Sequence, residues 1–422
     1  MGDVDFGVVF GQRPEEIVKY FKAKGYVLSG SWTDVWEAAH ARAFTVANVM
    51  KMDILQDIHA AVSDVIVEGK NRELVQKDLQ IVLEQKGWWG KGLVTDADGV
   101  VEGKRLNARR VQTIFDTNVS QAYNAAQWRK QDEIKDLKPW RVYNHHPHKH
   151  PRKHHAAMNG LAFRQDYPIW EYIMPVNGWG CHCDTSVYSD RDIARKGWGE
   201  RMRDSKGALE THEITLRNGD KAKVTTYTDP VTGAKMTPDA GFNYNPGKAH
   251  YQPDLNKYEP RVARQYVKGA LTGPEFQLAY SRAEKLVRDN PNLPLDTVRK
   301  MAGKTEFPVA VLPKAQMQAL GVSTQEVLLS EDTLVKQVVR REGQDIGLKD
   351  YWRVQDVLEQ AAVVVKQGDH HLMFFQKEGA WYSAVVKATA ALDRVYLQSF
   401  RFSNEKQVDK AVKNNEVVFD RR

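Results

Sequence analysis

The chain has almost no cysteine. Two thiols among 422 residues cannot build a disulfide framework. They are Cys181 and Cys183, and a bridge between them would close a very small, strained ring. Reduced thiols or metal thiolates in a cytosolic setting are the expected state. Long apolar runs are missing too: nothing approaches the roughly 18 residues that span a bilayer. Met1 to Phe10 carries acids and no basic stretch ahead of an apolar one, which does not read as a secretory signal. A strong charge of one sign is also absent. The net charge of +7 and a pI of about 9.0 permit contact with nucleic acid or an acidic protein surface without requiring either. What is present, 42% hydrophobic and 27% charged residues, is the composition of a globular chain. The length predicts two to four domains.

The expected fold class is α+β and multidomain. Residues 1–105 read as a helical N-terminal region. Ser31 can cap a helix whose apolar positions Val35, Ala39, Ala43, Val46 and Met50 recur every three or four residues, and Ile54, Ile58, Val62 and Val65 continue the spacing. A second helix starts near Asn71, uses Leu74, Leu79, Val82 and Leu83, and stops at Gly87. Gly90 to Gly103 reads as a loop. Residues 106–190 begin with a long helix, about Leu106 to Glu133, and continue into a Cys/His-rich centre with many Pro and Gly residues and little periodicity. Residues 191–300 are mixed. Ile214-Thr215-Leu216 and Val224-Thr225-Thr226-Tyr227 flank Asn218-Gly219, a strong hairpin signal. Helical pattern returns from Glu259 to Asp289 with a break at Gly273-Pro274. Residues 305–422 predict two helices, Asp332–Arg341 and Asp350–Gln360. Four strands follow, Ala362–Lys366, His371–Gln376, Ala380–Lys387 and Arg394–Phe402, as an antiparallel sheet with helices on one face.

Chemistry concentrates in one place. Seven of the thirteen histidines lie between His145 and His182, alongside both cysteines. Zinc takes thiolate and imidazole ligands in tetrahedral geometry. Cys181, Cys183 and His155 are candidate metal ligands, with a fourth from His145, His148, His182 or Asp184. Such a site would clamp two arms of an irregular loop and contribute to folding directly. Two other readings stay open. The thiols can pack as small apolar groups under Trp170 and Trp179, or act as a redox or nucleophilic pair with a histidine base. The run His145 to His150 can equally be a solvated face that meets phosphate when protonated. Arg141, Lys149, Arg152 and Lys153 are the candidate contacts to DNA.

Three stretches carry a family resemblance: Arg152-Lys153-His154-His155 with Gly160, Pro175-Val176-Asn177-Gly178-Trp179-Gly180-Cys181-His182-Cys183, and Gly241-Phe242-Asn243-Tyr244-Asn245-Pro246-Gly247. Together they resemble the core of phage Mu F-like minor head proteins, within the phage head-morphogenesis family. The resemblance implies a minor head (capsid) protein of a Mu-like tailed phage or prophage. Such a protein resides in the virion near the portal or capsid interior after a stage in the host cytoplasm. It would contact portal protein, major capsid protein and packaged DNA, with no membrane.

The C-terminal part resembles the barnase/colicin/RelE-like nuclease-type domains that follow such modules. It does so through Leu329-Ser330-Glu331-Asp332-Thr333, Asp350-Tyr351, Leu372-Met373-Phe374-Phe375, Tyr382 to Lys387 and Leu397-Gln398-Ser399-Phe400. This resemblance implies Lys387, Arg341 and Lys336 as cations and Ser399 as a phosphate hydrogen-bond donor. RNA cleavage also needs a base for the 2′-hydroxyl. Where such domains carry a histidine, this chain has Arg340-Arg341-Glu342, so a degenerate domain is expected. His370 and His371 lie in the strand region and can substitute, though not at the family's position, and a delivered ribonuclease is the alternative function.

Overall fold

The computed structural model describes residues 15–146, 151–216, 219–341 and 346–422. The chain divides into two compact units. One comprises the residues up to Lys22 together with Leu28–Pro253, and the other Ala23–Val27 together with Asp254–Arg422. Among the described residues no helix is long and apolar enough to cross a membrane.

The first unit is organised around the long helix Ala108–Glu133, capped by Asn107, whose side chain accepts from Arg110 N–H. A cap of this kind satisfies one of the orphan donors of the first turn. Helices Met52–Ser63 and Arg72–Gln85 precede it. Asn71 caps the second as expected, but its buried face is Val75, Leu79 and Leu83, while Leu74 is exposed. The helix expected from Ser31 to Met50 does not form. Turns and a short 3-10 stretch, Glu37–Ala41, occupy that span. Gly30 N–H and Ser31 N–H both donate to the Asp34 carboxylate, and Glu37 and Asn48 take left-handed backbone. These local side-chain bonds compete with helix for the backbone. Val35, Ala39, Ala43 and Val46 are buried all the same, so the apolar spacing marked the core without marking its secondary structure. The expected loop Gly90 to Gly103 contains a small hairpin, Leu93–Thr95 with Val101–Lys104.

The Cys/His-rich centre is less irregular than its sequence suggests. Strands Ala162–Arg164, Trp140–Asn144 and Asp184–Tyr188 form an antiparallel sheet in that order. Runs of three to five residues are too short to show a period of two in sequence. A second sheet joins Leu209–Thr215, Lys221–Thr228 and Lys235–Met236. The first two are the expected hairpin, although Asn218 of its turn lies outside the described residues.

The second unit carries a seven-stranded sheet where four strands were expected. The order is Glu306–Val311, Glu326–Ser330, Val395–Ser403, Ala380–Ala388, His370–Lys377, Val363–Gln367, Glu416–Asp420. The four expected strands are the consecutive central ones. Sequence missed both strands on one side of them and one on the other. Glu306–Val311 holds Pro308 at a register irregularity, where a missing N–H is tolerated. Glu326–Ser330 pairs in parallel with Val395 and Tyr396, a long-range pairing that no local pattern announces. Beyond that short pairing the edge of Val395–Ser403 is filled by helix Glu331–Arg340. Gln337 Oε1 accepts from Phe400 N–H at 3.0 Å, and Arg341 Nε donates to Phe400 O at 2.6 Å.

Candidate metal centre

Cys181 and Cys183 follow a tight loop that leads into strand Asp184–Tyr188. His155 lies on the short helix Lys153–Ala157, between the other two strands of the sheet. All three side chains are at least 97% buried, and their donor atoms lie within 4.8 Å of one another. His155 Nδ1 is 3.6 Å from Cys181 Sγ and 3.7 Å from Cys183 Sγ. Zinc–sulfur and zinc–nitrogen bonds of about 2.3 and 2.05 Å at a tetrahedral angle give a nitrogen–sulfur edge of about 3.6 Å. The three donors therefore could hold a metal ion. His145 Nδ1 is 3.4 Å from Cys183 Sγ, but His145 lies outside the set of three mutually close donors.

The other fourth-ligand candidates are placed differently. Asp184 turns its carboxylate to Asn144 Nδ2 at 2.7 Å and to His146 Nε2 at 3.0 Å, which raises the His146 pKa. His182 is only partly buried, and His148 and Lys149 lie outside the described residues. Around the thiols, Asn177 is completely buried, accepts from Tyr143 Oη at 2.9 Å, and hydrogen-bonds Cys181 through its backbone. The hydrogen bond with Cys183 holds Cys181 well below the usual thiol range against the opposing effect of burial, with His155 assisting. The same bond with Cys181, and then burial, push Cys183 up. A thiolate inside an aromatic core is the state a cation stabilises. His155 Nε2 is buried with no hydrogen-bond partner.

A second layer fixes the loop, and Asp239 is its unpredicted member. Arg152 donates to Trp179 O at 2.8 Å and to Asp239 Oδ2 at 3.2 Å, while Asp239 N–H donates to Asn177 O at 2.9 Å. A Cβ at Gly178 would lie 2.3 Å from that same Asp239 carboxylate oxygen, so a larger residue there would displace the carboxylate from the brace. The Gly241 to Gly247 stretch closes the arrangement. Asn243 Oδ1 accepts from Thr225 N–H at 2.8 Å, Asn245 Nδ2 donates to Trp170 O at 2.9 Å, and Tyr244 Oη accepts from Gln121 at 3.0 Å.

Two DNA candidates are withdrawn by this geometry. Arg141 is 1% exposed. It donates to Gln131 and Gln165 and lies over the Trp170 ring. Burial pulls its guanidinium down to about 9, still charged at neutral pH but out of reach of phosphate. Arg152 is spent on the brace. Lys153 alone of the described candidates is exposed.

In the second unit Lys336, Arg341 and Ser399 are neighbours, while Lys387 is paired elsewhere. Lys387 pairs with Asp369 at 2.5 Å, which also pairs with His370 at 2.7 Å. Arg341 is tied to Ser399 Oγ at 2.8 Å and to Phe400 O. Lys336 is half-buried, and burial lowers its pKa. His371 is buried and its pKa lowered for the same reason. Glu342 lies outside the described residues.

Residues 56–186, which include the helix and the whole clamp, match the family model described as Phage Mu protein F like protein. The chain thus carries a Mu F-like region. It is 32% identical over 282 residues to the "Putative capsid assembly protein F" of Escherichia phage Mu, covering 64% of this chain and 63% of that protein. It is 31% identical over 258 residues to the "Mu-like prophage FluMu F protein" of Haemophilus influenzae, covering 59% of this chain and 61% of that one. The chain therefore spans less than two thirds of the length of these relatives. No solved structure matches it significantly. The family match ends at residue 186 and lends the C-terminal unit no nuclease likeness.

Proposed function

We propose that this protein acts in head morphogenesis of a Mu-like phage or prophage as a minor head protein. Its Cys181–Cys183–His155 clamp holds structural zinc, with His145 as fourth ligand. The observation that carries the reading is the Mu F-like match over the segment containing the clamp, in a chain similar to a protein named for capsid assembly. Its partners in this reading are the portal and major capsid proteins, and its place is the virion near the portal. The donors are buried and held on a braced loop, which suits a structural metal. Mass spectrometry of purified particles should find the protein at low copy relative to the major capsid protein, retained after exterior proteins are stripped. Absence from both procapsids and virions would reject the assignment.

The delivered-ribonuclease alternative gains nothing from the family match, which ends at residue 186. Lys387, Arg341 and Ser399 are engaged with Asp369 or one another, and a general base is worth about 10² to 10⁴ in rate. The full-length protein is expected to cleave neither RNA nor DNA at a useful rate. Turnover abolished by Lys387→Ala, or by changing His370 and His371, would revive the nuclease.

A further inference from the structure

A cavity of about 350 Å³ opens in the first unit, and none of the metal ligands lines it. Its size is at the lower end of ligand-binding pockets. One wall is a face of the long helix carrying Arg109, Thr113, Thr117 and Gln121. That face runs about 18 Å along the helix at 1.5 Å per residue, the reach of about five extended residues. The facing wall is apolar and aromatic. Trp32 and Trp179, 38% and 44% exposed, flank it, and Phe242 lies edge-on to Trp179 at 4.9 Å.

Three features say what fits. The Thr117 hydroxyl is buried without a hydrogen-bond partner and lines the cavity. A buried polar group of that kind is costly unless a ligand completes it. The lining contains Arg109, Arg110 and His40 and no carboxylate. Arg110 is spent on backbone carbonyls, including Ala47 O at 2.7 Å. Arg109 is exposed and has no carboxylate partner among the described residues. The aromatic wall is fixed by the clamp loop itself, since the Arg152 bond to Trp179 O sets its path.

We propose that this cavity is a docking site for an acidic, extended peptide segment of a partner protein. One aromatic or large aliphatic side chain of the peptide inserts between Trp32 and Trp179, its backbone meets Thr117, and a flanking carboxylate pairs with Arg109. Charge complementarity selects the acidic partner, and the length of the polar wall selects an extended chain over a compact small molecule. The proposal rests on the head-assembly reading only for the origin of the segment, which would be another head component.

The test is fluorescence anisotropy of a labelled eight-residue peptide of Glu and Asp around one central Phe, titrated with the full-length protein. The expected result is saturable binding. It should weaken at least about tenfold when the peptide's Phe becomes Ala, when Arg109→Glu reverses the rim charge, or when Thr113→Trp fills the cavity from its half-exposed wall. Should Thr113→Trp fail to fold, the Phe-to-Ala peptide and Arg109→Glu carry the test. No binding by about 1 mM peptide, equal binding of the Phe and Ala peptides, or unchanged binding by the variants would overturn the proposal. The assay needs no phage particle, so its failure leaves the head-assembly reading to stand or fall on particle composition.

Discussion

Purified protein is expected to contain one zinc per chain, and the Cys181→Ser, Cys183→Ser double variant none. The loss in stability should be among the largest any pair of substitutions here can cause. Apparent zinc binding in small modules is worth on the order of 10 kcal/mol or more, but that figure is an upper limit in this setting. Both thiols sit in a cluster with Trp128, Phe163, Trp170 and Tyr227, and packing of these aromatics survives without metal. Protection from hydrogen exchange should therefore collapse in residues 152–184 and at Asp239–Phe242, which Arg152 and Asn177 tie to the loop, before the rest of the unit melts. His145→Ala should weaken metal retention without abolishing it, because His145 touches only one of the two sulfurs. Acid should release the metal as the thiolates take up protons. Metal-free protein with an unchanged melting temperature and unchanged exchange would mean that Cys181 and Cys183 are packing residues, small and apolar in effect.

The centre was legible because its parts are close in sequence and chemically distinctive: few residue types bind soft metals, and both cysteines fall within three positions. What holds the centre was not legible. Asp239 is 87 residues from Arg152 and looks like any turn aspartate. The buried state of Arg141 was invisible because its satisfying groups are two glutamines and a tryptophan face rather than a carboxylate. Sequence therefore suggested DNA contact where the fold uses the charge internally. In the second unit the four central strands were readable from β-rich runs with short links. The strands outside them were not, since Pro308 interrupts one and long-range pairing stabilises another. The GFNYNPG stretch was recognisable as a motif, but only the structure shows why those residues are needed. Its Tyr244 accepts from the helix Ala108–Glu133, and its asparagines join the sheet strand at Thr225 and the Trp170 turn.

Lys24→Met is expected to stabilise the second unit, with the largest gain at acid and neutral pH. Lys24 is 3% exposed. The chain around it is pressed flat, because a Cβ at neighbouring Gly25 would lie 2.3 Å from Gly269 O on helix Pro260–Thr272. Burial pulls the Lys24 amine from its ordinary 10.5 down to about 7. A drop of that size corresponds to a charging penalty on the order of 5 kcal/mol. The sign follows from proton counting. Below about pH 7 folded and unfolded chains both carry the proton, so the folded state bears the whole penalty. Between about 7 and 10.5 the unfolded chain holds more protons than the folded one, so stability rises with pH. Above that range neither is charged. Methionine keeps the length of the stem and removes the charge. Calorimetric melts across this range should show the wild type gaining stability with pH and the variant flat, the two converging in alkali. Equal slopes for the two proteins would mean that Lys24 keeps its charge without cost, through the partners its side chain finds in the folded chain.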